Sequence, residues 1–417
     1  MTSIREVMRG NLLIFTLGDV MRQLSMFITF PYFSLYVQAL GGSVVDIGIV
    51  NSFRPLIAFF IYPIAGYLSD RISRVKIIVI TGFVGSLVWL FFIFAQDWRW
   101  LAFGNMLLGV MTFYFPAANS LMAESLPRDK RALGYSLWQA VPLAAGIFSP
   151  LAGGYLISIW GVDSAMRFLY GLTMIVAILI AAINYWYLTE EKREKQEDGQ
   201  DLLGVLLKSY REVILVLREL PRNLKAYGVM LVLGFFFNSM VSSYWVIYVV
   251  QVIGLSEVEW GLILLISSVI NVALLIPAGV LVDKIGSKRV LTIALIAGAI
   301  PIFVFPYVAD FIEVTLLLIL LTVTNSFLMS GAPSYMAKST PIEKRGRIMS
   351  ALGQGMLLIN TRGGGVGGPG MGALLAIPTI AGSLLGGVFY SFSPQLLWVS
   401  FGLSMLVNAA ISDVYLE

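Results

Sequence analysis

The chain has 417 residues, of which 58% are apolar and only 12% are charged, and its mean hydropathy is +0.85. Soluble domains carry about a quarter charged residues, so this composition excludes a water-soluble enzyme and indicates a membrane protein. The net charge is +4, and the chain has neither cysteine nor histidine. Disulfides, thiolate chemistry and imidazole bases are therefore excluded, and any proton chemistry must use carboxylates, Lys or Tyr.

Apolar runs of about 20 residues, the length that crosses a bilayer as a helix, predict twelve spans. They begin near residues 12, 46, 77, 101, 134, 165, 225, 259, 290, 314, 371 and 395. The first run is too long for a signal-peptide core, so we expect it to remain in the protein. With both termini in the cytoplasm, 24 of the 28 Lys and Arg residues fall in inside segments, two outside and two within spans. This bias predicts a multi-pass plasma-membrane protein with no nucleic-acid partner.

A long polar stretch separates the spans into two sets of six. We predict one bundle over residues 1–188, a cytoplasmic linker over 189–224 and a second bundle over 225–417. Within the linker, apolar residues from Leu202 to Leu217 recur at helical spacing, which predicts an amphipathic helix on the membrane surface. We interpret this helix as a structural strut in preference to a regulatory or partner site.

The two halves contain an internal repeat. At an offset of 213 the matching pairs are Gly41 and Gly254, Ser43 and Ser256, Gly48 and Gly261, Gly66 and Gly279, Leu68 and Leu281, and Asp70 and Asp283. Farther on, the offset slips by 22 between Ser350 and Ala376. The second half therefore contains an insert before its eleventh span.

The insert includes a glycine-rich run near 360–372. Such a run cannot form a stable helix against lipid, so we interpret it as a cytoplasmic loop. A motif within the membrane and a phosphate cradle are two further interpretations. Neither is favoured, because the repeat places the next helix later and no Gly-Lys-Ser/Thr sequence follows.

Both halves carry a basic turn between their second and third spans. The turns share a glycine, a solitary Asp and several basic residues: Gly66, Asp70, Arg71, Arg74 and Lys76 in the first half, and Gly279, Asp283, Lys284 and Arg289 in the second. This repeated turn resembles the signature turn of the major facilitator superfamily, and the resemblance covers the chain except the insert. It implies an all-α membrane protein of two pseudo-symmetric six-helix bundles that rock about a central cavity.

The resemblance also implies a latch on the cytoplasmic side. Asp70 and Asp283 are its expected acceptors, with Arg131 and Arg345 as partners. Glycines at the start of each turn are expected to let two helices approach closely. The preference of Lys and Arg for cytoplasmic loops would explain the basic residues of the turns, but it does not explain a solitary Asp in both halves.

The fifth span carries small residues around a proline: Ala145, Ser149, Pro150, Gly153 and Gly154. They resemble, with two small substitutions, the proline motif of the drug and proton antiporter branch of the superfamily. The fourth-span Arg of that branch is replaced by Asn105, so any proton coupling must use other residues. A kinked, closely packed helix is the alternative interpretation.

Three ionisable residues stand well inside spans. Asp19 and Arg22 share one face of the first span, and Arg54 lies in the second. An ionised group in a span costs at least about 2.5–3.5 kcal/mol, so it lines a cavity or pathway by default. We predict a net-positive solute or proton site, with a buried structural pair as the alternative. The second half offers polar and aromatic candidates, for which packing between helices is the favoured alternative: Asn238, Tyr244, Trp245, Asn271 and Asn325.

Together these patterns favour a secondary transporter that moves a small organic solute by rocker-switch alternating access. No nucleotide-binding glycine loop is present, so a gradient must supply the energy. We expect a monomeric exporter of drug-like or amphipathic solutes in a lipid bilayer, with protons as one coupling option and neither cofactor nor metal. The alternatives are a uniporter or importer of a small organic anion, and a non-transporting receptor. An enzyme is disfavoured, since no nucleophile and base are paired within the spans.

Overall fold

The computed structural model describes residues 8–126, 131–190, 202–340, 345–363 and 371–416. The helices in these ranges are α1 (Gly10–Ala39), α2 (Val44–Ser69), α3 (Arg74–Ile93), α4 (Trp98–Ser125), α5 (Leu133–Trp160), α6 (Val162–Tyr187), α7 (Leu202–Glu219), α8 (Arg222–Ile253), α9 (Glu257–Ile285), α10 (Ser287–Tyr307), α11 (Phe311–Ser339), α12 (Arg345–Leu352), α13 (Ala376–Phe392) and α14 (Pro394–Tyr415).

Twelve of the described helices correspond to the predicted spans. Eleven are long and apolar enough to cross a membrane, and α13, with 17 residues, is shorter. At 1.5 Å per residue α13 is about 25 Å long, which approaches the thickness of a hydrocarbon core. Helices α1 to α6 form the first half, and α8 to α11 with α13 and α14 supply the spans of the second. The prediction of an all-α protein with twelve transmembrane helices is confirmed.

The repeated residues before α2 and α9 form the same turn in both halves. Gly41 (φ 80°) and Gly254 (φ 88°) adopt the left-handed conformation, which disfavours residues with a Cβ. Two residues on, Ser43 and Ser256 begin α2 and α9 with a capping box, in which an acid three residues later completes the reciprocal bond. The repeat therefore encodes a turn and a helix start.

The two halves touch at the end opposite the basic turns, which we call the far end; the end with the turns is the basic end. At the far end α2 crosses α13, and α5 crosses α9. A Cβ on Gly48 would lie 2.3 Å from the Ser383 carbonyl oxygen, and one on Gly261 would lie 2.7 Å from that of Pro150. Because Gly48 and Gly261 are a repeat pair, each half provides a glycine for close contact with the other.

At the basic end, the carboxylates of the two turns pair within their own halves. Asp70 Oδ1 lies 3.9 Å from Arg74 Nη2, and Asp283 Oδ1 lies 3.6 Å from Lys338 Nζ. The two Asp side chains are 62% and 76% exposed. With the far end in contact and these carboxylates exposed, the space between the halves opens at the basic end.

The linker helix α7 packs against α2 of the first half and against α12 of the second. The Tyr210 ring stacks on Phe59 with 4.6 Å between ring centroids, and the Tyr210 hydroxyl donates to the Phe59 carbonyl. That carbonyl lacks its usual helical donor, because Pro63 four residues later has no N–H. The Tyr210 hydroxyl therefore supplies the hydrogen bond that the Phe59 carbonyl lacks because of Pro63.

The eleventh span is interrupted between α12 and α13, and the interruption enters the bundle. Residues 353–363, which we call the re-entrant segment, run in an irregular conformation among α8, α10 and α11 of the second half, and the last of them reach α1 of the first half. A Cβ on Gly372 would lie 2.3 Å from the Gly353 nitrogen, so the chain returns beside the point where it left α12. The prediction of a cytoplasmic loop is wrong for this part of the insert, because mid-span side chains provide its hydrogen-bond partners. Residues 364–370 lie outside the described ranges.

Candidate functional site

Asp19 and Arg22 form an ion pair inside the first half. Arg22 Nη2 lies 2.6 Å from Asp19 Oδ1, and the Trp138 indole donates to Asp19 Oδ2 at 2.6 Å. The Arg22 guanidinium carbon lies 5.3 Å from the centre of the Tyr114 ring. The Asp19 side chain is 14% exposed and that of Arg22 is 36% exposed. The predicted pair is thus present, with aromatic neighbours from α4 and α5.

Arg54 in α2 lies near this pair, with Tyr62 and Arg22 as its electrostatic neighbours. Among the described residues, Arg54 has no ion pair and no side-chain hydrogen bond, and its side chain is half-buried. A positive charge within a span calls for a counter-charge. In this site Arg22 has the Asp19 carboxylate as a counter-charge, whereas Arg54 has no counter-charge among the described residues, and we call Arg54 unbalanced for this reason.

Asn238 and Asn325 hold the re-entrant segment. Asn325 Oδ1 accepts a hydrogen bond from the Ile359 backbone N–H at 2.8 Å, and Asn238 Oδ1 accepts from that of Asn360 at 2.9 Å. Irregular backbone at membrane depth requires partners within the protein, and these amides supply them. Asn238 and Asn325, two candidate solute ligands of the second half, therefore bind the backbone of the re-entrant segment.

Two further candidates pack within the second half. Asn271 Nδ2 donates to Ser326 Oγ at 3.3 Å. Trp245 is 1% exposed, and its ring contacts those of Phe305 and Trp398 at centroid distances of 4.6 and 4.3 Å. Trp245 thus belongs to an aromatic core and does not line the space between the halves, since the large ring is buried on all sides.

Two buried tyrosines join the halves at the far end. The Tyr32 hydroxyl donates to the Pro150 carbonyl at 2.6 Å and lies 3.2 Å from that of Glu257. The Tyr244 hydroxyl donates to the Val44 carbonyl at 3.0 Å. Tyr244, predicted to line the solute pathway, instead closes its far end, because the α8 end that carries it packs against the first half.

The small-residue motif of the fifth span lies where α5 crosses other helices. A Cβ on Gly153 or Gly154 would lie 2.3 or 2.2 Å from a backbone carbonyl oxygen of α1 or α9, respectively. Ala145 and Ser149 flank the 3-10 turn Gly146–Phe148 just before the crossing. In this conformation the motif therefore forms a closely packed contact between the halves.

The first basic turn is anchored by Arg74. Arg74 Nη1 lies 2.5 Å from Glu124 Oε2, closer than Arg74 lies to Asp70, and its side chain is 4% exposed. The Arg71 guanidinium carbon lies 3.7 Å from the centre of the Tyr67 ring. Arg74 thus fixes the turn to α4, while Asp70 is left largely exposed.

A Cβ on Gly66 or Gly279 would meet no atom of the described residues within 4 Å in this conformation. No helix contact at either glycine is present among the described residues, so their role in a close approach of two helices stays a prediction. The side chains of Arg131 and Arg345 lie outside the described residues, so the latch pairing stays a prediction. The remaining basic residues of the second turn are exposed: Lys284 and Arg289.

Arg362 is the site residue that sequence reasoning missed. Its Nη2 donates to Ser268 Oγ of α9 at 3.1 Å, and its guanidinium carbon lies 4.7 Å from the centre of the Phe27 ring of α1. The charge count places Arg362 in an inside segment. The slip in the repeat is the sequence signal that places Arg362 inside the bundle. Ser350 and Ala376 flank the insert, and their counterparts in the first half, Ser136 and Ala140, lie in one helix. The insert therefore falls within a span.

Residues 15–359 match the Major Facilitator Superfamily. The chain is 26% identical over 379 residues to Multidrug resistance protein MdtG of Salmonella arizonae and 27% identical to that of Salmonella typhi, with 88% of this chain and 89% of each relative covered. A solved bacterial homologue of the human lysosomal transporter Spinster, inward-facing and occupied, matches with a TM-score of 0.71 at 14% identity, over 97% of this chain and 96% of that one. The match over most of the chain, with its repeated basic turns and paired six-span halves, shows that this protein belongs to the Major Facilitator Superfamily and is a transporter.

Proposed function

We propose that the protein exports drug-like or amphipathic organic solutes across the plasma membrane. The observation that carries this proposal is the unbalanced Arg54 beside the Asp19–Arg22 pair, in a space that opens at the basic end. Charged groups at this depth mark solute pathways. The name of the MdtG relatives, multidrug resistance proteins, supports export of such solutes.

The basic end and both termini face the cytoplasm in this proposal, because Lys and Arg concentrate in cytoplasmic segments. The described conformation then receives solute from the cytoplasm. Release on the other side requires the far-end contacts to separate and the basic turns to close. In that state Asp70 and Asp283 latch onto Arg131 and Arg345, and the open faces of Gly66 and Gly279 meet the opposite helices.

Proton coupling would run through Asp19, which Arg22 neutralises in the described state. A solute anion that binds Arg22 releases Asp19 to accept a proton, so the anion and the proton move in the same direction. A solute cation that binds Asp19 excludes the proton, so the two move in opposite directions. Because the two linkages have opposite signs, the direction of proton movement reports which member of the pair the solute contacts.

Proteoliposomes that contain a pH-sensitive dye test the proposal, with flux driven first by a solute gradient and then by a pH step. We expect Arg54→Ala to lower solute flux at least about tenfold and Asp19→Asn to abolish proton movement. Arg99→Gln is the matched control, because the Arg99 side chain is 74% exposed at the far end. If both site variants fold and transport as the wild type does, the cluster is structural.

Import or uniport of a small organic anion is the second candidate, and the excess positive charge at Arg54 favours it. Solute flux in both directions without proton movement would select uniport. Binding of solute with no flux under either gradient would select a receptor. We expect a monomer, which the mass of the detergent-solubilised protein tests.

A further inference from the structure

We propose that the re-entrant segment supplies an oxyanion-binding residue, Arg362, to the solute site. The ligand would be an amphipathic organic anion with a planar oxyanion head, such as a carboxylate, and an apolar body. This inference deepens the proposed export function and rests on it for its role in transport. The binding site itself depends only on the contacts of Arg362.

The re-entrant segment is held firmly enough to position a side chain. The Tyr227 hydroxyl donates to the Gly355 carbonyl at 2.5 Å, and two backbone N–H groups farther along donate to Asn325 and Asn238. Leu357 and Ile359 are buried, at 4% and 5% exposure. Buried apolar side chains and backbone hydrogen bonds therefore both hold the segment, and Arg362 follows them directly.

Arg362 lacks a counter-charge. A guanidinium has five N–H donors, and among the described residues the Arg362 side chain has one hydrogen-bond partner, the Ser268 hydroxyl, and no carboxylate. The side chain is half-buried between Phe27 and Ser268, so part of it remains accessible. An uncompensated charge at this depth is costly, and a bound anion would remove that cost.

The surroundings of Arg362 select the class of anion. The planar fork of a guanidinium matches a carboxylate, sulfonate or phosphate in two parallel hydrogen bonds. Phe27 lies against one face of the guanidinium and offers an apolar ring for the body of the solute. Phe27 belongs to the first half and Ser268 to the second. Binding at Arg362 therefore senses the relative position of the two halves.

A charge series on one aromatic body tests the assignment with purified protein in detergent. The probes are 2-naphthoate, neutral 2-naphthamide and cationic 2-naphthamidine, with binding measured by calorimetry. We expect 2-naphthoate to bind most tightly, and Arg362→Gln to weaken it at least about tenfold while 2-naphthamide binds as before. Arg362→Lys keeps the charge and loses the planar fork of the guanidinium. Its affinity for 2-naphthoate should therefore lie between those of wild type and Arg362→Gln.

Arg99→Gln is the matched control, and thermal unfolding of each variant verifies folding. If Arg362→Gln unfolds, Ser268→Ala replaces it, because the loss of the single positioning hydrogen bond should also weaken 2-naphthoate selectively. Equal binding of 2-naphthoate to wild type and Arg362→Gln, no binding to wild type, or preference for 2-naphthamidine would overturn the proposal.

The same experiment separates this proposal from the proposed function. Arg362-dependent binding of 2-naphthoate in a protein that moves no solute would refute export and leave the oxyanion site standing. Solute export with binding that does not depend on Arg362 would refute the oxyanion site and leave export standing.

Discussion

Gln38 and Gln251, residues related by the internal repeat, hydrogen-bond to each other at the far end of the bundle. Gln251 Nε2 lies 2.7 Å from Gln38 Oε1, the reciprocal contact measures 3.4 Å, and the residues are 213 apart, which is the offset of the repeat. Equivalent residues of two symmetric units meet only near the axis that relates them. The pair therefore marks the pseudo-twofold axis, at the end where the halves touch.

Cross-linking this pair should stop transport. The chain has no cysteine, so Gln38→Cys with Gln251→Cys provides two unique thiols. A short bis-methanethiosulfonate reagent would hold the far end closed, and we expect flux in proteoliposomes to fall to background and to return on reduction. The single variants, treated identically, are the controls. Full flux in the cross-linked double variant would show that the far end does not open during transport.

Gly48→Ala should weaken the closed far end. Its Cβ would lie 2.3 Å from the Ser383 carbonyl, and backbone crowding of this kind costs about 1–3 kcal/mol. We expect about tenfold faster maleimide labelling of Ser34→Cys, because Ser34 is buried against Ser243 at the same end. Gly171→Ala is the control, because its Cβ would meet no atom within 4 Å in the part of the chain that the structure describes. Equal labelling rates in both variants would contradict the close crossing.

Asn238→Ala and Asn325→Ala should release the re-entrant segment. Each removes the acceptor of a backbone N–H, and a buried donor left unpaired costs about 1–3 kcal/mol. Hydrogen exchange over residues 353–363 should accelerate about tenfold or more. Asn271→Ala is matched in chemistry and does not bond to the segment, so exchange there should stay slow. Unchanged hydrogen exchange over residues 353–363 in all three variants would show that the two amides do not anchor the re-entrant segment.

Tyr210→Phe should loosen α7. The variant keeps the ring on Phe59 and leaves the carbonyl freed by Pro63 without its donor, which costs about 1–3 kcal/mol. We expect faster limited proteolysis of α7 than in Tyr155→Phe, whose tyrosine is 58% exposed. A cleavage rate equal to that of the control would show that stacking alone holds the helix.

The same contact predicts a pH dependence. Burial raises the pKa of Tyr210 above its ordinary value of 10.0, so the neutral hydroxyl is favoured in the folded protein. Its contribution to stability is full below pH 10 and is lost as the pH rises beyond that value. The difference in melting temperature between wild type and Tyr210→Phe should therefore be constant from pH 7 to about pH 9 and shrink above pH 10. A difference that already shrinks between pH 7 and pH 9 would contradict the assignment.

Much of the fold could be predicted because its determinants are local. Hydropathy alone locates the spans, since each helix satisfies its own backbone in lipid. The repeated Gly41 and Ser43 motif predicted symmetry, and its reasons are equally local: a positive φ and a helix cap. The Asp19–Arg22 pair followed from the spacing of two charges on one helix.

The site depended on contacts between distant residues. Asn238 and Asn325 are candidates either for packing between helices or for solute binding along the chain, and the structure shows that both bind the re-entrant segment. Tyr244 looks like a pathway residue, yet its hydroxyl reaches Val44 at the far end. The hydropathy pattern along the chain does not indicate which polar side chain will contact which backbone group of another helix.

Sequence by itself determined an all-helical membrane protein with two repeated halves, the positions of its buried charges and the family to which it belongs, because hydropathy, helix caps and charge spacing act over a few residues. Tertiary structure alone decided that the glycine-rich insert begins inside the bundle and that Arg362 lies between Phe27 and Ser268. Irregular backbone is stable at that depth only where helices distant in sequence assemble its hydrogen-bond partners.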